Sequence, residues 1–138
     1  MLTEKDYCDY DTCVALKELG YKGISRFFYA SKESPLRRYS YDQILTTRIA
    51  DAVGHTLAIS LYVAQKWLRE EKNIIVEATF NLMYKGQPRF SWRVLYNLTQ
   101  HKGAYYTFDS VKSKEDYDSY EEALSEGVRE AVKILKEK

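Results

Sequence analysis

Three alternating runs between Asn73 and Asp109 restrict what this chain can fold into more than any other stretch. They are Asn-Ile-Ile-Val-Glu-Ala-Thr-Phe-Asn-Leu-Met, Arg-Phe-Ser-Trp-Arg-Val-Leu-Tyr-Asn-Leu and Ala-Tyr-Tyr-Thr-Phe, separated by two turn-rich breaks. Strict apolar–polar alternation is the period of a strand with one buried face. Short breaks between such strands predict an antiparallel meander. Ile74, Val76, Ala78, Phe80 and Leu82 share one face, as do Phe90, Trp92, Val94, Tyr96 and Leu98, and Ala104, Tyr106 and Phe108. All are even-numbered. Directly opposed residues of two strands point the same way, so each connecting loop is expected to hold an odd number of residues. That argues against a two-residue turn at Gly86-Gln87. It favours a three-residue loop at Lys85-Gly86-Gln87, or a five-residue loop in the same register, with Phe80 opposite Trp92 and Val76 opposite Tyr96. A loop at Gln100-His101-Lys102 sets Tyr96 opposite Tyr106. A slip of one residue, without a bulge, would turn the core face to solvent.

The other face is mostly polar, with Arg93 expected opposite Asp109. Ile75, Leu95 and Tyr105 nonetheless cluster at one end of it. Single surface apolars are ordinary, whereas a grouped apolar patch on an open sheet face marks an association surface or a ligand platform. Ile75, Arg93, Leu95, Tyr105 and Asp109 are therefore the candidate interaction surface.

Helices are expected to cover the even face. Asp9 can cap a helix to Leu19 that Gly20 closes, with Thr3 as an alternative, earlier start. Ser60 precedes an amphipathic run from Leu61 to Lys72. Ser119 and Glu122 form a capping box for a closing helix whose apolar residues recur every three or four positions to Leu135. Gly127 lies on its buried stripe with Ala123 and Ala131. It costs about 1 kcal/mol of helix propensity relative to Ala, which suggests close approach to a bulky partner such as Trp92 or Phe80. Upstream, Ile24–Ala30 reads as a strand, Arg37–Thr47 as a second strand, and Arg48–Ala58 as a loop or a short extra helix. The expected fold is a single α+β domain over residues 1–138. Its antiparallel sheet comprises the meander, 74–108, and one or two N-terminal strands, with three helices on one face.

Composition excludes several classes. A net charge of +1 gives no global attraction to nucleic acid or membrane. No apolar run is long enough to span a bilayer, and the Met-Leu-Thr-Glu-Lys-Asp start lacks the pattern of a signal peptide. A cytoplasmic protein is expected. Cys8 and Cys13, the two cysteines, have neither CxxC spacing nor neighbouring metal ligands and read as reduced thiols. Asp6, Asp9 and Asp11 lack the glycine and closing glutamate of a calcium loop. There is no GxSxG, Walker loop, HExxH or GxGxxG, so no catalytic, cofactor or metal residue is assigned. His55 and His101 fall in a loop and a hairpin turn, where histidine is ordinarily only solvated.

Charge distribution is more informative than its total. Residues 22–48 hold six Lys/Arg against two Asp/Glu, interleaved with aromatics. Arg26, Arg37, Arg38, Tyr39 and Tyr41 offer the phosphate contacts and stacking rings used in binding single-stranded nucleic acid. Internal pairing of basic strands with acidic helix ends would leave the same pattern.

Three segments together resemble a family of small uncharacterised proteins of Bacteroides-type bacteria and their prophages. They are Asp9–Tyr21, Ala58–Lys72 and Ser119–Leu135, with Gln-Lys-Trp-Leu-Arg-Glu in the second and Tyr-Glu-Glu-Ala-Leu-Ser-Glu-Gly in the third. Ile59 stands where that family usually has proline, and Asp9 where it has serine. The matching residues are explained by capping and packing, so the resemblance implies a shared fold and no activity. A prophage setting implies an accessory role or a partner in the host. The sequence therefore points to a small binding protein, self-associating as a homodimer through the open sheet face, with a nucleic-acid accessory protein as the alternative.

Overall fold

A computed structural model describes residues 2–39, 44–103 and 105–137; Tyr41 and Ala104 lie outside the described residues. The protein is α+β with antiparallel sheets. Its contacts divide it into two compact units, Met1–Ser60 and Leu61–Lys138.

In the first unit a 3-10 turn, Glu4–Asp6, precedes helix α1 (Tyr10–Glu18). The Asp9 carboxylate accepts the Thr12 N–H at 2.8 Å, satisfying one of the unpaired donors of the first turn. At the other end Gly20 takes a φ of 107°. Its N–H bonds to the Lys17 carbonyl at 3.0 Å and the Tyr21 N–H to that of Leu16 at 2.9 Å, the paired closure that a left-handed residue permits. The earlier start at Thr3 occurs only as the 3-10 turn, in which the Thr3 N–H meets the Asp6 carboxylate at 2.7 Å.

The strand expected over Ile24–Ala30 is broken at Arg26 into β1 (Ile24–Ser25) and β2 (Phe27–Tyr29). Ser25 Oγ accepts the Phe27 N–H at 3.0 Å, a local bond that competes with the ladder. The second strand is likewise two pieces, β3 (Arg37–Arg38) and β4 (Leu45–Thr46). Residues 48–58 supply both a short helix and a strand: α2 (Thr47–Ala52), capped by Thr46, and β5 (Thr56–Leu57). β1 pairs with β4, and β2 lies between β3 and β5. α1 packs on β5, and Cys8, Cys13, Leu16, Tyr29, Leu57 and Ile59 are buried in this unit.

The second unit holds α3 (Leu61–Lys72), β6 (Ile75–Tyr84), β7 (Gln87–His101), β8 (Tyr105–Lys112) and α4 (Tyr120–Lys136). The expected meander is present, in the order β6-β7-β8. Two helices of this unit pack on it: α4 over β6 and β7, and α3 against β6 and α4. Ser119 Oγ accepts the Glu122 N–H at 3.1 Å, starting α4 where expected. The glycine on its buried stripe sits on Val76 and Trp92: a Cβ there would lie 2.8 Å from Val76 Cγ1 and 3.2 Å from Trp92 Cβ.

The hairpin registers differ from those expected. The first connection is a two-residue turn, Lys85-Gly86, with Tyr84 opposite Gln87. Both turn residues have positive φ, 51° and 78°, the geometry whose twist matches that of a strand pair. A bulge at Asn81 then restores even-to-even pairing, placing Phe80 opposite Phe90, Ala78 opposite Trp92 and Val76 opposite Val94. At the second connection His101 lies opposite Tyr105 and Gln100 opposite Tyr106. A second bulge, in β7 at Asn97-Leu98, shifts the pairing so that Tyr96 meets Asp109 and Val94 meets Val111. Tyr96 therefore does not face Tyr106, and Arg93 does not face Asp109.

Candidate interaction surface

These bulges redistribute the side chains between the two faces of the sheet. Val94 is fully buried under the helices and pairs with Val111, so Val111 and, by alternation, Asp109 and Thr107 belong to the helix-facing side of β8. Ser110 pairs with Leu95 on the outer side. Alternation then carries Phe108 and Tyr106, expected in the core, to the outer face. The same reasoning at Asn81 moves Leu82 and Tyr84 outward, opposite Arg89 and Gln87. Phe80 keeps its expected face but not its burial. It meets Phe90 edge-on at 6.4 Å, and Phe90 meets Tyr120 at 6.3 Å. Tyr120 is the first residue of α4, so Phe80 and Met83 project past the end of the helix that would otherwise cover them.

Large apolar side chains are consequently bare on both edge strands. Phe80, Leu82, Met83, Tyr84, Tyr106 and Phe108 are between 41% and 59% exposed. The five residues selected from the sequence fare differently. Leu95 is only 9% exposed and so is no open contact. Ile75, its partner across the strands, is half-buried. The Arg93 guanidinium pairs with Glu77 Oε2 at 2.7 Å, and Asp109 accepts from Asn97 Nδ2 at 2.8 Å. Tyr105 opens β8 opposite His101. Arg93 and Asp109 are thus parted by three rows, each with its own partner. The signal that would have exposed the error was Asn97, whose φ of 53° lies in the left-handed region that asparagine tolerates better than most residues. A shallow polar recess of about 320 Å³ adjoins this face at Asn81, Ser91 and residues 112–116. Its lysines and carboxylates leave it with no dominant sign of charge.

In the first unit the structure separates the basic–aromatic segment into exposed cations and internal rings. Arg26, Arg37 and Arg38 are exposed. Tyr39 stacks on Phe28 at 4.2 Å, and its hydroxyl lies 3.5 Å from His55 Nδ1. Phe28 is buried and stacks on His55 at 4.4 Å. Burial raises the Tyr39 phenol above its ordinary value. Tyr41 lies outside the described residues, so the aromatic half of the proposed nucleic-acid contact rests on a ring already engaged within the fold. Nearby, an open cleft of about 1060 Å³ runs between residues 22–24 and 46–51, with Lys22 and Arg48 beside Ile24 and Ile49.

The titratable groups buried in this unit form a structural cluster. Tyr29 donates its hydroxyl to the Cys8 carbonyl at 2.7 Å, and Cys13 Sγ lies 3.6 Å from the same oxygen. The hydrogen bond with Cys13 and then burial hold the Cys8 thiol well above its usual range. Burial, reinforced by the two thiols, does the same to Tyr29. A nucleophilic cysteine needs the opposite environment. Among the described residues no three His, Cys, Asp or Glu side chains group as metal ligands. His101 Nε2 lies 2.8 Å from Thr107 Oγ1 across the second hairpin. Comparison with family models, with characterised proteins and with solved structures finds no match for this chain.

Proposed function

We propose that this chain is a small cytoplasmic binding protein, not an enzyme, which self-associates through the sheet of its second unit. The observation that carries this reading is the set of six large apolar side chains left exposed on β6 and β8. They form two sets, Phe80, Leu82, Met83 and Tyr84 toward the first hairpin and Tyr106 and Phe108 toward the second, and exposed apolar side chains that lie together mark a contact with another molecule. The resemblance of the three helices to proteins of bacterial prophages supports an accessory role over a metabolic one. No helix among the described residues is long and apolar enough to cross a membrane, so the apolar surface is not part of a spanning helix. The alternative, a nucleic-acid accessory protein, draws less support because Tyr39 is stacked inside the first unit. Sedimentation equilibrium across a wide concentration range is the direct test. A mass rising toward twice the monomer's is expected, and a monomer at every concentration would remove the proposal.

A further inference from the structure

The three strands differ in how they are closed off. The outer edge of β6 is covered in one half, where Gln65 of α3 donates to the Val76 carbonyl at 2.7 Å, and is bent in the other by the bulge at Asn81. β7 is flanked on both sides, because the segment after β8 takes over where β8 ends: Ser113 N–H reaches the Trp92 carbonyl, and Phe90 and Tyr117 exchange backbone bonds at 2.9 and 2.7 Å. On β8 the one such device is Asp109, a carboxylate on the helix-facing side that Asn97 engages at 2.8 Å. Residues 106–110 are exposed one after another, hence on both faces. The strand contains no proline, carries its one lysine at the last position, and is itself unbulged, since the extra residue lies in β7. Proline, edge lysines and bulges are, besides such an inward charge, devices by which proteins ordinarily blunt an edge.

We infer that β8 is the seam of a homodimer, in which a second copy adds its own β8 antiparallel to the first and the two meanders join as a six-stranded sheet. The inference rests on the self-association reading above and names its surface. The occupant follows from the strand's own sequence. A two-fold axis perpendicular to the sheet returns each face to itself, so opposed residues must share parity. Centring on Asp109 sets carboxylate against carboxylate, which like-charge repulsion disfavours. Centring on Thr107 leaves only five strand residues paired. Centring on Phe108 pairs seven, 105 to 111, with Phe108 against Phe108 of the second copy and Tyr106 against Ser110. It also sets Thr107 beside Asp109, a hydroxyl beside a carboxylate. Four aromatic rings then share one face, because a ring also reaches its diagonal neighbour. Seven residues a side fall short of the ~20–30 of a standard interface, so the dimer is expected to dissociate in the micromolar range.

Sedimentation of the intact chain tests this with three proteins: the unmodified one, Phe108→Lys and Tyr84→Lys. Phe108 and Tyr84 are both exposed, and tryptophan fluorescence on urea unfolding checks that each variant still folds. Phe108→Lys opposes two ammonium groups at the axis and is expected to weaken the dimer at least about tenfold, while Tyr84→Lys leaves it unchanged. In parallel, Phe108→Cys is expected to yield a disulfide-linked dimer on mild oxidation, since directly opposed Cα atoms lie ~4.5–5.5 Å apart, and Tyr84→Cys is not. A dimer that survives Phe108→Lys but not Tyr84→Lys overturns the β8 seam and leaves the self-association reading standing. An unmodified protein that stays monomeric overturns both.

Discussion

Gly127→Ala sets helix propensity against packing, and the structure decides which prevails. On an open helix the change would add about 1 kcal/mol of stability. In α4 the new methyl would lie 2.8 Å from Val76 Cγ1 and 3.2 Å from Trp92 Cβ, against the ~3.5–4.0 Å at which carbon atoms attract. Neither neighbour yields cheaply. Val76 is β-branched and 1% exposed, and the Trp92 contact is at Cβ, which moves only with the strand. Overpacking of this kind costs about 1–3 kcal/mol, so the net expectation is destabilisation of up to about 2 kcal/mol. Both tryptophans of the chain, Trp67 and Trp92, lie in the second unit, so their fluorescence during urea unfolding reports on it. At a slope of about 1 kcal/mol/M, the midpoint should fall by up to about 2 M with no change in slope. Adding Val76→Ala vacates the space that the new methyl needs. The double variant should be more stable than the sum of the single changes by about 1 kcal/mol or more, as for other side chains in contact. If Gly127→Ala raises stability by about 1 kcal/mol and shows no coupling to Val76, the close approach is not real and the account of this helix fails.

Two further predictions concern the first unit. The pKa of Tyr29 and that of Cys8 are raised on folding, so their protonated forms stabilise the fold. That contribution is complete below the unfolded values, about 8.5 for the thiol and about 10 for the phenol, and declines as pH rises above them. Tyr29→Phe should cost about 1 kcal/mol at neutral pH by removing the shorter of the two hydrogen bonds to the Cys8 carbonyl, and should flatten the decline above about pH 10. Circular dichroism of chemical unfolding across alkaline pH checks this, and parallel profiles for the two proteins would contradict it. Cys8 and Cys13 are both buried and free. An aromatic disulfide reagent should therefore label them only through unfolding, on the order of 10³-fold more slowly than in denaturant; rapid labelling of the native protein would refute it.

The parts of this protein legible in its sequence are those set by neighbours along the chain. Asp9 and Ser119 cap helices because a side-chain oxygen three residues before an unpaired N–H reaches it whatever the rest of the fold does. Gly20 closes α1 because only its backbone enters the left-handed region freely. The alternation of residues 74–98 specified strands, and the small residues of the last helix pointed to close approach of a bulky partner such as Trp92 or Phe80, of which Gly127 meets Trp92. Short strands such as β3 and β4 were not separable, because two residues carry no period. The candidate surface was misplaced for a sharper reason. Parity along a strand is a global quantity: a single extra residue reverses every side chain beyond it. Two asparagines, Asn81 and Asn97, did this, moving Leu82, Tyr84, Tyr106 and Phe108 to the outer face. Alternation alone determined that there is a sheet with two unlike faces. Only the tertiary structure decided which residues reach the outer one, because a bulge's position depends on how two strands and their turn fit together.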